Sequence, residues 1–178
     1  VFLAALSAIG AAVLVQLSWA AIVIGLLSLV PIALYPLAKR VTDYPQAVLG
    51  VVFSWAAPTG WAAATGGLDA AAFALWAAGF FWILGYDTIY AHQDREDDAL
   101  VGIRSTARKF GAASRHFVGW CYAAAVALLG LAGALSGASL WFFLALLAPA
   151  WMLSRQVRDL DIDDPAKCLM LFKANQEV

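Results

Sequence analysis

The segment GYDTIYAHQDREDDALVGIRSTARK, at residues 85–109 of this 178-residue chain, combines acids, hydroxyls and cations at the end of a long apolar run. Asp87, Tyr90 and Asp94 are three and four residues apart, and Asp98 follows four residues later. If one helix continues through them, these side chains share a face. Several carboxylates on one face cannot all stay ionised without a nearby cation. Hard oxygen ligands suit Mg²⁺, whose coordination substrate phosphates usually complete, so the spacing predicts a magnesium site on this face.

Two further segments carry cations that could bind a phosphate group. YPLAKR places Tyr35 and Lys39 four residues apart on one helix face, with Arg40 beside them, and GIRST contains Arg104. Lysine binds diphosphate as a point charge, and arginine can bind oxyanions through two parallel hydrogen bonds. The alternatives are ordinary ones: helix-end cations that reach for lipid headgroups, a helix cap at GIRST, and a solvated acidic connector. The presence of acids and bases together at neighbouring helix ends favours a binding site.

The composition is that of a membrane protein, with 63% hydrophobic and 13% charged residues. No basic run with interleaved aromatic residues is present, so no nucleic-acid partner is expected. A span needs about 20 apolar residues, and the chain reads as one all-α, polytopic transmembrane domain over residues 1–178. We expect about six spans and the start of another helix: two within residues 1–37 with a turn near 16–19, then 44–64, 68–91, 114–135 and 140–153, and a helix capped by Asp164-Pro165. Pro58 should kink the third span.

The basic residues predict the topology. All eleven Lys and Arg follow even-numbered spans: Lys39 and Arg40 after the second, five between residues 95 and 115 after the fourth, and four between residues 155 and 173 after the sixth. The positive-inside rule places these loops, and the acidic segment with them, on the cytoplasmic side of a bacterial inner membrane or the matrix side of a mitochondrial inner membrane. Asp69 should lie on the opposite side.

DTIYAHQDREDDALVGIRSTARKFG resembles the second aspartate-rich motif of the UbiA superfamily of intramembrane prenyltransferases, most closely in its 4-hydroxybenzoate-prenylating branch. YPLAKR, the following YPQAVLGVVFSWAAPTGWAA and the C-terminal CLMLFKANQ are similar to other segments of that branch. Family members have about nine spans and two acidic motifs. The first motif and the last span are not found in this sequence, so the resemblance leads us to expect a domain that is incomplete at both ends.

The resemblance implies an enzyme that transfers a polyprenyl group from polyprenyl diphosphate to the ring of 4-hydroxybenzoate, ortho to the hydroxyl, in ubiquinone biosynthesis. It implies Mg²⁺ as cofactor, with Asp87, Asp94 and Asp98 as its ligands, and the lipid bilayer as surroundings. Asp87, Tyr90 and Asp94 are the expected catalytic residues, with Tyr90 stabilising an allylic cation. The expected substrate-binding residues are Tyr35, Lys39, Arg40 and Arg104. Three alternatives remain open: a related transferase that uses homogentisate, naphthoate or haem as acceptor, a divalent-cation channel or carrier, and a non-catalytic scaffold.

Overall fold

The computed structural model describes residues 2–178, except for the side chain of Lys39, and folds them into helices. The helices in chain order are α1 Phe2–Leu14, α2 Trp19–Leu27, α3 Leu29–Val41, α4 Pro45–Ser54, α5 Ala56–Thr65, α6 Ala70–Tyr90, α7 Arg95–Leu100, α8 Thr106–Phe110, α9 Ser114–Leu135, α10 Leu140–Asp159 and α11 Pro165–Ala174. A 3₁₀ turn at Gly111–Ala113 joins α8 to α9. No strand occurs in this part of the chain, which confirms the all-α class.

Five segments among the described residues are long and apolar enough to cross a membrane: Trp19–Ala38, Pro45–Thr65, Ala70–Tyr90, Thr106–Leu135 and Leu140–Asp159. They correspond to the second to sixth predicted spans. Helix α1 is apolar but has 13 residues, fewer than the roughly 20 that a bilayer core requires. The count of six spans therefore stays a prediction.

Two of these spans are interrupted one turn before a proline. A proline ring clashes with the carbonyl of the residue four positions earlier and has no N–H to donate to it. Pro31 and Pro58 place that disruption at Leu27 and Ser54, and α2 ends at Leu27 while α4 ends at Ser54. The kink expected from Pro58 is therefore present as a break between α4 and α5.

The two interruptions face each other and are joined by a hydrogen bond. The residue at the second break is Trp55, whose indole Nε1–H donates to the backbone carbonyl of Ile24 at 2.8 Å. Its ring also packs edge-on against Trp76 of α6, with ring centroids 5.1 Å apart. The bent spans α2–α3 and α4–α5 are thereby fastened to each other and to α6.

Helix α6 is the central element and packs most closely on α9. Gly85 allows this approach, because a Cβ at that position would lie 2.6 Å from Cε1 of Tyr122. The Tyr122 hydroxyl donates to Oε1 of Gln156 at 2.9 Å, and Asn175 of α11 accepts from the indole N–H of Trp82 at 2.9 Å. Buried polar groups need such partners, and this network attaches α10 and α11 to the α6–α9 pair.

The three basic segments meet at one end of the bundle. Arg95 contacts Asp163 at 2.9 Å and so joins the loop after α6 to the loop after α10. Arg104 contacts Asp43 at 3.8 Å and so joins the loop before α8 to the loop after α3. At the other end of α6, Asp69 caps the helix by accepting the N–H of Ala72. The separation of basic and non-basic loops predicted from the sequence is thus present in the fold.

Candidate functional site

A small polar cavity of about 70 Å³ lies at the basic end of the bundle. It is lined by Tyr35, Pro45, Gln46, Asp87, Tyr90, Ala91, Asp94, Asp98, Arg104 and Ser105. We call this cavity the acidic pocket. It gathers six of the residues singled out in the sequence, from α3, α6, α7 and the loops around α7, although they are spread over 70 positions of the chain.

The carboxylates reach the acidic pocket by a route that differs from the expected one. Helix α6 ends at Tyr90, and the chain turns before α7 begins at Arg95. The helix therefore does not continue from Asp87 to Asp98, and its end at Tyr90 agrees with the predicted fourth span of residues 68–91. Asp94 lies at the start of α7, where its carbonyl accepts the N–H of Asp98 at 2.7 Å. The turn folds α7 back, so that Asp94 and Asp98 line the same pocket as Asp87.

The three carboxylates suit a metal bound together with a phosphate. Within residues 2–178, no group of three or more His, Cys, Asp or Glu side chains is close enough to form a ready-made metal site. Mg²⁺ does not require one, because it usually binds through one or two carboxylates and completes its shell with waters and substrate phosphate oxygens. Asp87, Asp94 and Asp98 around one pocket provide such a donor set, and the magnesium site stays a prediction.

Arg104 forms the boundary between the acidic pocket and an open basic cleft. The cleft has a volume of about 460 Å³ and is lined by Asp43, Gly102, Arg104, Ser105, Arg108 and Lys109. Asp43 contacts Nε of Arg104 at 3.8 Å and Nζ of Lys109 at 3.6 Å. All three side chains are 40% exposed or more, so these pairs are weak and leave the cations available to an anion.

The remaining predicted cations are less informative. Arg40 is exposed on α3 and does not line the acidic pocket. The side chain of Lys39 lies outside the described residues. Their predicted roles in substrate binding therefore stay predictions.

A buried chain of hydrogen bonds forms the wall behind the acidic pocket. The Thr88 hydroxyl donates its single hydrogen to the Leu84 carbonyl at 2.7 Å. The Thr106 hydroxyl is therefore the donor in the 2.8 Å hydrogen bond between the two threonines. The backbone N–H of Thr106 donates to Oε1 of Gln46 at 2.9 Å. This chain joins the C-terminal end of α6 to the N-terminal ends of α8 and α4.

Sequence reasoning missed Gln46 as a pocket residue. It is 6% exposed and follows the proline that begins α4. The signal was a primary amide at the first turn of a membrane span, where burying a polar side chain is costly unless it has partners.

Aromatic side chains border the carboxylates on the side of α11. Tyr90 lines the acidic pocket and packs against Phe172, with ring centroids 4.7 Å apart. Tyr86 meets the same Phe172 edge-on at 5.6 Å. Phe172 belongs to the CLMLFKANQ segment but was not predicted to lie near the site. The cluster places π-electron density beside Asp87.

A larger apolar cavity lies deeper along the same helix. Its volume is about 360 Å³, and its walls come from α4 to α6, α9 and α10. Gly79 and Ile83 line it, and Asp87 lies one turn beyond Ile83 on the same face of α6. A polar pocket at the membrane boundary is thus followed by an apolar cavity within the membrane-spanning region.

His92 lies in the turn after α6 and is 3% exposed. Burial, and then the charge of Arg95, lower the pKa of His92 to about 4, against the opposing effects of Asp163 and the Ile162 backbone. The ring is therefore neutral at neutral pH and acts as packing for the acidic loop.

Comparison with known proteins identifies the same family over almost the whole chain. The model of the UbiA prenyltransferase family matches residues 1–176. A relative from Drosophila pseudoobscura pseudoobscura, named 4-hydroxybenzoate polyprenyltransferase, mitochondrial, is 41% identical over all of this chain and 45% of its own length. The protein of the same name from Rattus norvegicus is 40% identical over all of this chain and 48% of its own length. The chain thus spans about half the length of the curated relatives it matches.

The fold also matches a solved structure. The apo structure of a UbiA homolog from Aeropyrum pernix K1 superposes with a TM-score of 0.73, covering 97% of this chain and 70% of that one. Sequence identity is 22%, so this likeness concerns the fold alone.

Proposed function

Because the chain belongs to the UbiA prenyltransferase family, we propose that the protein transfers a polyprenyl group from polyprenyl diphosphate to 4-hydroxybenzoate in ubiquinone biosynthesis. The observation that carries the proposal is the acidic pocket, which three aspartates and Arg104 line and which lies one turn along α6 from an apolar cavity. The names of the curated relatives support 4-hydroxybenzoate as the acceptor. Transferases that use homogentisate, naphthoate or haem would share the donor chemistry and differ only in the acceptor.

The two cavities correspond to the two parts of the donor substrate. The diphosphate occupies the acidic pocket, and the polyprenyl chain runs along α6 into the apolar cavity past Ile83 and Gly79. Asp87, Asp94 and Asp98 would hold Mg²⁺, which when bound supplies positive charge to neutralise the diphosphate. Arg104 neutralises part of the same charge from the side of the basic cleft.

Transfer begins when the allylic C–O bond breaks and the diphosphate leaves with the bonding electron pair. The allylic cation that remains lies against Tyr90, whose ring is held by Phe172 and can stabilise a cation over its face. The acceptor carbon ortho to the hydroxyl attacks this cation and forms the new C–C bond. Loss of the proton from that carbon then restores the aromatic ring.

The protein works in a lipid bilayer, with the acidic pocket on the side of the basic loops. The positive-inside rule makes this the matrix side of a mitochondrial inner membrane or the cytoplasmic side of a bacterial one. The names of the relatives include the word mitochondrial, which supports a mitochondrial location. Polyprenyl diphosphate can then reach the apolar cavity from the lipid phase, while the polar acceptor arrives from the aqueous side.

The test is prenyl transfer by the purified full-length protein in lipid nanodiscs. Product should form from polyprenyl diphosphate and 4-hydroxybenzoate, stop when EDTA removes divalent metal, and return when Mg²⁺ is added. Homogentisate and naphthoate, offered in parallel, should give far less product. Faster turnover of either compound would show that 4-hydroxybenzoate is not the preferred acceptor. Undiminished turnover in EDTA would show that the reaction does not depend on a divalent metal.

A pair of matched variants tests the pocket itself. Asp94→Asn should lower turnover by about 10²-fold or more, because it removes charge where the leaving diphosphate must be stabilised. Glu96→Gln removes an acid from the same loop that does not line the acidic pocket, and it should leave turnover unchanged. Equal effects of the two variants would show that only the overall charge of the loop matters.

A further inference from the structure

Two neutral side chains in the acidic pocket have their oxygens already in use. Oε1 of Gln46 accepts the backbone N–H of Thr106 at 2.9 Å. Oγ of Ser105 accepts the backbone N–H of Arg108 at 3.3 Å and so caps α8. Both side chains are more than nine-tenths buried, with Gln46 at 6% and Ser105 at 3% exposure. Both also line the acidic pocket.

These acceptor bonds determine where the donor hydrogens point. An amide rotated by 180° would direct an NH₂ group at the N–H of Thr106, so Gln46 has one favourable orientation. Its NH₂ group therefore points away from the N–H of Thr106, and Gln46 lines the acidic pocket. The single hydroxyl hydrogen of Ser105 likewise points away from the N–H of Arg108. The pocket is thus lined by two neutral side chains whose oxygens already accept a backbone N–H and whose own hydrogens remain to be donated.

On the basis of the function proposed above, we propose that Gln46 and Ser105 bind the non-bridging oxygens of the prenyl donor's diphosphate. The amide N–H of Gln46 and the hydroxyl of Ser105 donate to these oxygens. Asp87, Asp94 and Asp98 would hold Mg²⁺, which would supply positive charge to the same diphosphate, and Arg104 approaches it from the basic cleft. As the C–O bond breaks, negative charge grows on the diphosphate, and fixed donors aimed at growing charge need little reorganisation to stabilise it.

A purely structural role is the competing explanation, because Gln46 also belongs to the buried chain that includes Thr106 and Thr88. Three variants separate the two roles. Gln46→Met removes both the acceptor and the donor at nearly constant shape. Gln46→Glu keeps an acceptor for the N–H of Thr106 but has no donor when ionised. Thr88→Val breaks the Thr88–Thr106 hydrogen bond in the same chain, and its side chain does not line the pocket.

The experiment measures binding of inorganic pyrophosphate with Mg²⁺ to the protein in nanodiscs by calorimetry, together with the melting temperature of each variant. Gln46→Met and Gln46→Glu should each weaken pyrophosphate binding by about tenfold or more, the usual loss for a hydrogen bond to a charged group. Ser105→Ala should weaken it as well. Thr88→Val should lower the melting temperature and bind pyrophosphate as tightly as the parent.

Each outcome decides the matter. If Gln46→Glu or a folded Gln46→Met binds pyrophosphate as tightly as the parent, the donor role is wrong. If Thr88→Val loses as much affinity as Gln46→Met, the effect is structural and the donor role is also wrong. Should Gln46→Met fail to fold, Gln46→Glu still decides, because it retains the bond to Thr106. A parent protein that binds no pyrophosphate would instead refute the diphosphate site, and with it the proposed function.

Discussion

Replacing Gly85 with alanine tests whether the contact between α6 and α9 positions the acidic pocket. Gly85 precedes Asp87 by two residues on α6. A Cβ added there would lie 2.6 Å from Cε1 and 2.8 Å from Cδ1 of Tyr122, and 3.3 Å from Cβ of Cys121. Carbon atoms that are not bonded prefer a separation of about 3.5–4.0 Å. The ring or the helix must therefore move by about 1 Å.

The Tyr122 ring cannot easily yield. Its hydroxyl donates to Gln156 at 2.9 Å, and both side chains are buried. Overpacking of this kind costs about 1–3 kcal/mol. Gly→Ala within a helix also gains about 1 kcal/mol of helix propensity, so a control must cancel that gain. Gly60→Ala in α5 provides it, because a Cβ there has no heavy atom within 4 Å.

The measurement is the difference between Gly85→Ala and Gly60→Ala in melting temperature and in prenyl transfer. The clash alone should lower the melting temperature by roughly 3–10 °C relative to the control. A shift of about 1 Å at Asp87 should reduce turnover by up to about 10²-fold. If Gly85→Ala matches Gly60→Ala in both measurements, close packing of α6 on α9 does not control the pocket, and our account of its positioning is wrong.

Three further predictions address the acidic loop, the topology and the buried network. The pKa of His92 is about 4 in the fold against 6.5 ordinarily, so the folded protein binds fewer protons than the unfolded one, and stability falls as pH drops from 6.5 toward 4. The melting temperature of His92→Gln should therefore fall less on acidification than that of the parent. Equal decreases in the two proteins would contradict the assignment. A cysteine at position 69, in place of Asp69, should react with an impermeant reagent outside intact cells, whereas one replacing Arg104 should not; the reverse labelling pattern would invert the topology. Asn175→Leu should destabilise the protein by about 1–3 kcal/mol, because Trp82 loses its acceptor, and unchanged thermal unfolding would show that the network contributes little.

Features that depend on neighbours in the chain could be predicted from the sequence. The apolar runs, the turn near residues 16–19, the break caused by Pro58 and the cap at Asp164 all appear in the structure. Each depends on local chemistry: apolar length, a missing N–H, or a side-chain oxygen that accepts a helix N–H. The separation of basic loops was equally visible, because alternate connections of a spanning chain must lie on alternate sides of a membrane.

The composition of the pocket depended on tertiary structure. Asp94 and Asp98 reach Asp87 through a turn and a second short helix, whereas spacing alone suggested one continuous face. Gln46 contacts Thr106 from 60 positions away, and Phe172 packs on Tyr90 from α11. Local sequence does not show which distant helix will cover a polar or aromatic side chain. That depends on how the spans pack, and here close contact between α6 and α9, together with the breaks in the spans formed by α2–α3 and α4–α5, brings these residues to one end of the bundle.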